Sequence, residues 1–213
     1  MHPELVIPQY ITKVQLSKKQ RTKYYTKKSK IPKTKQKYKF KNGYLVDENN
    51  KKIIANPKTA GKPKYEVLSG NKLKAGFGSP HIRAKIVKEL KKFYRPFVQE
   101  YIDKHGPITE FPLRIEWDVY TTVEEEKPNW DADNLDFYFK YFQDCLFETT
   151  CKYNDYAKYK GKKLKQLIPN DTVEYITFPS MPKIIPIDNW DDRKFVFRFY
   201  KDNRPELKRK PWI

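Results

Sequence analysis

Two aspartates stand two residues apart, Asp131 and Asp133, in the string PNWDADNLDFYFKYF, where a loop gives way to a helical pattern. Extended backbone at such a junction directs both carboxylates to one side. Convergent carboxylates suit magnesium, a hard ion that prefers oxygen ligands and keeps several of its waters. An ion held there would generate hydroxide and neutralise the charge that builds on a phosphate during in-line displacement. A calcium loop does not fit, because Leu135 falls where an EF-hand needs a polar ligand and Asp136 where it needs glycine. By local spacing alone Asp133 reads more readily as an ordinary N-cap that satisfies free helix amides and interacts favourably with the helix dipole. Local spacing leaves both readings open.

Farther along, Lys140 lies at about 100° per residue on the helix face shared with Asp133 and Asp144, opposite the stripe of Leu135, Phe139, Phe142 and Leu146. It can point toward a site at the head of the helix. It also fits an exposed ladder with Asp136 and Asp144, worth a few tenths of a kcal/mol per pair. Asp171, in IPNDTVEY, reads by itself as a turn residue before a strand.

As a whole, DADNL opening a helix that ends in Asp144-Cys145-Leu146, followed by IPNDTVEY, resembles the RusA family of Holliday-junction resolvases. In that family Asp-x-Asp-Asn-Leu opens a helix ending near Asp-x-Leu, and a second acidic motif, commonly Asp-Asp-x-x-Val, precedes a strand. The resemblance covers roughly residues 110 to 200 and the preceding helix. It implies that Asp131, Asp133 and Asp171 bind magnesium, with manganese as a substitute, and that Asn134 and Leu135 complete the first motif. It also implies that the catalytic lysine is Lys140, because three extra residues shift it from Phe137. Asn170 replaces the first acid of the second motif, Val173 falls one residue early, and the connection from Leu146 to Asp171 is long for the family. The activity implied is a structure-specific endonuclease that cuts four-way or other branched DNA in recombination and repair, as a homodimer. The family's usual setting, phage or mobile-element DNA, implies the cytoplasm of a bacterium or a phage-infected host cell.

The elements that must position these residues follow from periodicity. FPLRIEWDVYTT alternates Leu113, Ile115, Trp117 and Val119 against Arg114, Glu116 and Asp118, which predicts a half-buried strand ahead of the acidic motif. Ser79 and Pro80 open a helix carrying Ile82, Ile86, Val87, Leu90, Phe93, Tyr94 and Phe97, which Pro96 should kink or end. Further strands are expected over residues 3 to 12, 173 to 178 and 194 to 200, with a proline-bearing connection, SMPKIIPIDNWDD, between the last two. Asn42-Gly43 marks a tight hairpin turn. The fold expected is α+β: a single domain with a mixed β-sheet, two principal helices and a basic N-terminal extension. Residues 1–12 supply a core strand, 13–78 the partly flexible extension, 79–203 the nuclease-like core and 204–213 a basic tail.

The whole chain carries 45 Lys and Arg against 26 Asp and Glu, a net charge of +19. An excess of that size calls for an anionic partner, and nucleic acid gains affinity from each phosphate neutralised through counterion release. From Lys13 to Lys41 there are thirteen basic residues and no acid, a composition read as an arm that is flexible or ordered only on DNA. Lys18, Lys19, Arg21, Lys23, Lys27 and Lys28 there, with Lys160, Lys162 and Lys163 in a second lysine-rich loop, are the expected phosphate contacts. Tyr156, Tyr159 and Trp130 read as stacking residues for unpaired bases or as ordinary packing. No stretch approaches the roughly 20 apolar residues of a membrane span, and the first residues lack a signal-peptide core. Cys145 and Cys151 with His2, His81 and His105 match no zinc spacing. Two alternatives remain at this level: a non-catalytic branched-DNA-binding protein, suggested by Asn170 and the shifted lysine, and a basic RNA-binding or structural protein, supported by charge alone.

Overall fold

The computed structural model describes residues 2–26, 38–55, 57–68, 79–122, 132–149, 163–172, 174–177 and 181–203, the side chains of 132–134 excepted. Met1–Thr12 and Leu68–Ile213 form one compact unit, and Lys13–Val67 forms a second.

The larger unit is α+β, with a mixed sheet and two principal helices. Its strands are β1 (Leu5–Pro8), β6 (Leu113–Thr121), β7 (Lys183–Pro186) and β8 (Lys194–Lys201), and its helices α1 (Pro80–His105) and α2 (Ala132–Phe147). The sheet order is β1-β8-β6-β7. The β1–β8 and β8–β6 pairs are antiparallel and β6–β7 is parallel, so β6, α2 and β7 make a strand-helix-strand crossover.

Alternation in β6 works as its sequence predicts: Leu113, Ile115, Trp117 and Val119 are buried on the core face. Against them packs an aromatic layer, with Phe142 of α2 stacked on Phe197 at 3.6 Å and Phe197 stacked on Trp117 at 5.7 Å. Each such buried side chain contributes on the order of 2–3 kcal/mol through area removed from water. Tyr10 stacks on Phe195 at 4.3 Å, and Arg193 Nε donates to its carbonyl at 3.0 Å, which fixes the residues following β1 to the start of β8.

Three sequence expectations meet corrections here. Helix α1 runs through Pro96 to His105, ending where Gly106, at φ 78°, donates its N–H to Ile102 at 2.8 Å. Tyr94, Val98, Tyr101 and Ile102 are buried on both sides of the proline, and that packing outweighs its local cost of about 3 kcal/mol. The strand expected over 173 to 178 reduces, in its described residues, to a bridge of Ile176 with Leu113 after a turn at 174–175. The strand beside β6 is instead β7, drawn from the proline-bearing connection. It sits at the sheet edge, where Pro186 at its last residue removes no needed donor.

The smaller unit contains β2 (Lys13–Ser17), β3 (Lys39–Lys41), β4 (Tyr44–Val46) and β5 (Lys64–Val67). β2 pairs antiparallel with β5, with a bulge between Gln15 and Ser17. β3 and β4 form the hairpin that Asn42-Gly43 predicts, with φ of 48° and 77° at those two residues. Within the stretch read from its charge as an arm, Lys13–Ser17 and Lys39–Lys41 are strand, the first with Val14 buried; the hairpin that the second enters buries Leu45 and Val46, apolar positions just beyond the lysine run.

Candidate active site

Helix α2 begins at Ala132, which sets Asp133 inside its first turn rather than at the cap expected from sequence. Asp131 lies outside the described residues. The ring contacts Tyr138–Phe195 (5.4 Å) and Phe142–Phe197 (3.6 Å), with Phe195 opposite Val119 and Phe197 opposite Trp117, show that α2 runs antiparallel to β6. The head of α2 is thus at the carboxyl end of β6. Beside it, Ile187 N–H donates to Thr121 O at 3.0 Å and brings the carboxyl end of β7 to the same place. Carboxyl ends of parallel strands, next to a helix N-terminus, are where crossover units present ligand-binding groups.

Lys140 is exposed and lies two turns beyond Asp133, a rise of about 10 Å. With Asp136 and Gln143 it forms one wall of an open cleft of about 340 Å³; Trp117, Phe139, Met181 and Pro182 form the rest. The exposed Asp136–Lys140–Asp144 ladder does not form. Asp144 turns to α1, where Lys91 Nζ lies 2.6 Å from it and 2.5 Å from Glu148, and Arg95 also donates to Glu148. Burial works against the Lys91 ammonium, but its hydrogen bonds to Asp144 and Glu148 outweigh this and hold its pKa above the ordinary lysine value. Two cations and two carboxylates thus join α1 to α2, and Lys140 has no described ion-pair partner. Cys145, beneath this cluster, has its thiol pushed up to about 12 by burial and is no nucleophile.

Comparison of the chain with known family models, curated proteins and solved structures found no match.

Asp171 is exposed, and its N–H is accepted by Asn170 Oδ1 at 2.8 Å. The segment leading to it is anchored at the tail of α2: Leu167 and Ile168 donate to Leu146 O at 2.8 and 3.3 Å. Their burial and their capping of an orphan helix carbonyl account for the anchor. About 20 Å of helix separates Leu146 from Asp133, and the described contacts join Asp171 to the tail of α2 rather than to its head. Among the described residues no three His, Cys, Asp or Glu side chains cluster to hold a metal ion; the carboxylates of the acidic motif lie outside that set. Asp118, buried on β6, accepts from Arg198 at 2.7 Å and is already committed.

A carboxylate that sequence reasoning passed over is Asp188, exposed and directly after Ile187 at the shared end of β6 and β7. Its only sequence signal is the acid-rich IDNWDD, whose Asn189 accepts from Asp191 N–H at 3.0 Å and caps a short 3-10 turn. Of the expected phosphate contacts, Lys18, Lys19, Arg21, Lys23 and Lys163 are exposed, and Lys27, Lys28, Lys160 and Lys162 lie outside the described residues, as do Tyr156, Tyr159 and Trp130. Among the described residues no helix is long and apolar enough to cross a membrane.

Proposed function

We propose that this protein is a magnesium-dependent endonuclease that cuts branched DNA, acting as a homodimer in the cytoplasm of a bacterial or phage-infected cell. The observation that carries this reading is topological: the DADNL motif enters α2 at the carboxyl ends of the parallel strands β6 and β7, with Lys140 facing a cleft two turns along the same helix. Asp131 and Asp133 would hold magnesium, or manganese in its place, which when bound supplies an activated water and neutralises phosphate charge. The side chains themselves have simpler tasks. Lys140, without an ion-pair partner among the described residues, presents its ammonium to the phosphate oxygens as charge develops, and the positive end of the α2 dipole adds to the same field. Two related sites in a dimer suit paired nicks across a roughly two-fold junction.

The third carboxylate is assigned by resemblance to Asp171 and by position to Asp188. Cleavage of a labelled four-way junction and a matched linear duplex, with magnesium or with EDTA, separates them. Symmetric, magnesium-dependent nicks are expected, absent in Asp133→Asn and reduced at least about a hundredfold in Lys140→Ala, the scale of losing one charge-stabilising donor. Asp188→Asn abolishes cutting if position decides, and Asp171→Asn does so if resemblance decides. A second reading, a non-catalytic branched-DNA-binding protein, is favoured by the anchoring of Asp171 at the tail of α2. Tight junction binding without cleavage in several divalent metals would establish it.

A further inference from the structure

Charge is unevenly divided along this chain. Lys13–Val67 holds 18 Lys and Arg against three acids, Asp47, Glu48 and Glu66, and so carries +15 of the net +19. The other unit, nearly three times longer, is close to balanced. The two ends of the basic unit meet: Leu68 N–H donates to Thr12 O at 2.8 Å, and β2 and β5 pair immediately beyond. It enters and leaves the chain through one neck, as an inserted module does.

Within it six of the described cations stand on two adjoining segments. Gln20 N–H donates to Lys62 O at 2.8 Å and Gly61 N–H to Gln20 O at 3.0 Å, which sets the segment bearing Lys18, Lys19 and Arg21 against the one bearing Lys58, Lys62 and Lys64. All six are exposed. Like charges on adjoining segments repel, and a bound polyanion relieves that repulsion. Beside them on β5, Tyr65 is 50% and Val67 59% exposed, with the Lys13 ammonium 5.5 Å from the Tyr65 ring.

We infer that Lys13–Val67 is an inserted phosphate-binding module that grips the backbone of double-helical DNA without reading bases and supplies most of the affinity. The choice of DNA among polyanions rests on the function proposed above; the module's action does not depend on cleavage. Lys and Arg groups on adjoining, backbone-paired segments can neutralise several neighbouring phosphates of one duplex at once.

The test is fluorescence anisotropy of the full-length protein on a 30-base-pair duplex in EDTA, across a sodium chloride series. Two triple variants on different segments are compared, Lys18→Gln/Lys19→Gln/Arg21→Gln and Lys58→Gln/Lys62→Gln/Lys64→Gln. The control is Lys104→Gln/Lys183→Gln/Lys201→Gln, three exposed lysines of the other unit. Each module variant should reduce the slope of log affinity against log salt by about 2 to 3 and weaken binding at least about tenfold near 0.1 M salt. The control should change the slope by less than half as much. Unchanged slopes in both module variants, or an equal loss in the control, would overturn the proposal. So would tighter binding by the unsubstituted protein to phosphatidylserine vesicles or to duplex RNA than to duplex DNA at matched salt. Asp133→Asn should keep the full slope, so a failure of the nuclease reading and a failure of the module are seen separately.

Discussion

At Lys91 burial and pairing oppose each other most directly. Its side chain is only 10% exposed, a position that disfavours an ammonium, yet Asp144 and Glu148 both lie within 2.6 Å. The pairing prevails and raises its pKa above the unfolded value, as burial, with a smaller push from neighbouring Tyr and Cys side chains, does for the phenols of Tyr94 and Tyr138. The sign of the linkage follows. A group whose folded pKa is raised contributes stability that is fully present below its unfolded pKa and lost as pH rises through the folded one. Urea unfolding should therefore show constant stability from neutral pH up to about pH 8, a first decline above the ordinary thiol value of about 8.5 because burial pushes Cys145 up to about 12, and a steeper decline above the ordinary tyrosine and lysine values near 10. In Lys91→Met the lysine part of that decline disappears and the cysteine and tyrosine parts stay. At neutral pH the same variant should lose about 2 kcal/mol, less than the roughly 3–5 kcal/mol of breaking a fully buried pair, because Arg95 still partners Glu148 and both carboxylates keep some access to water. An alkaline decline identical in Lys91→Met and unsubstituted protein would show that Lys91 is not the titrating group.

Helix α1 carries a local defect that its surroundings override. Pro96 removes an amide from the helix interior and crowds the preceding turn, but it faces an open groove with Phe93 and Phe97 while the buried residues flank it. Pro96→Ala should restore the hydrogen bond with little lost packing and raise stability by about 1–3 kcal/mol, read from chemical denaturation. A decrease would mean that the ring's own contacts matter more than the backbone. The same balance explains which elements were legible in the sequence. The period-two pattern of β6 and the apolar stripe of α2 recur over enough residues to dominate local noise, and both stand as read. Strand β7 was not legible, since four edge residues ending in proline carry no alternation. Nor was the anchoring of Asp171, which follows from backbone caps between Leu167, Ile168 and Leu146, contacts 21 or more residues apart that no local pattern encodes. For the candidate site, the motif and Lys140 were readable as spacing. Asp188 was not, because its place depends on a strand that pairs only in the folded chain.

On the scale of the molecule, the basic module and the α+β unit divide the work in a way that can be tested by removing one of them. No strand of the four-stranded sheet and neither principal helix comes from Lys13–Val67. The bonded pair Thr12 and Leu68 gives the cut ends a ready junction, so a short glycine-rich link between these residues closes the chain without strain. The excised protein should fold cooperatively, with a thermal midpoint within about 3 °C of the full chain, the shift that roughly 1 kcal/mol produces in a domain of this size. Its charge falls from +19 to +4, so duplex binding should weaken steeply and lose most of its salt dependence, keeping the part due to the lysines of the remaining unit. If the acidic motif cuts DNA, junction cleavage should persist at raised protein concentration, with the loss confined to KM while kcat is retained. A loss of kcat at saturating junction would place part of the reacting geometry in the module, and a collapse of the midpoint would make the module part of the α+β core rather than an insertion upon it.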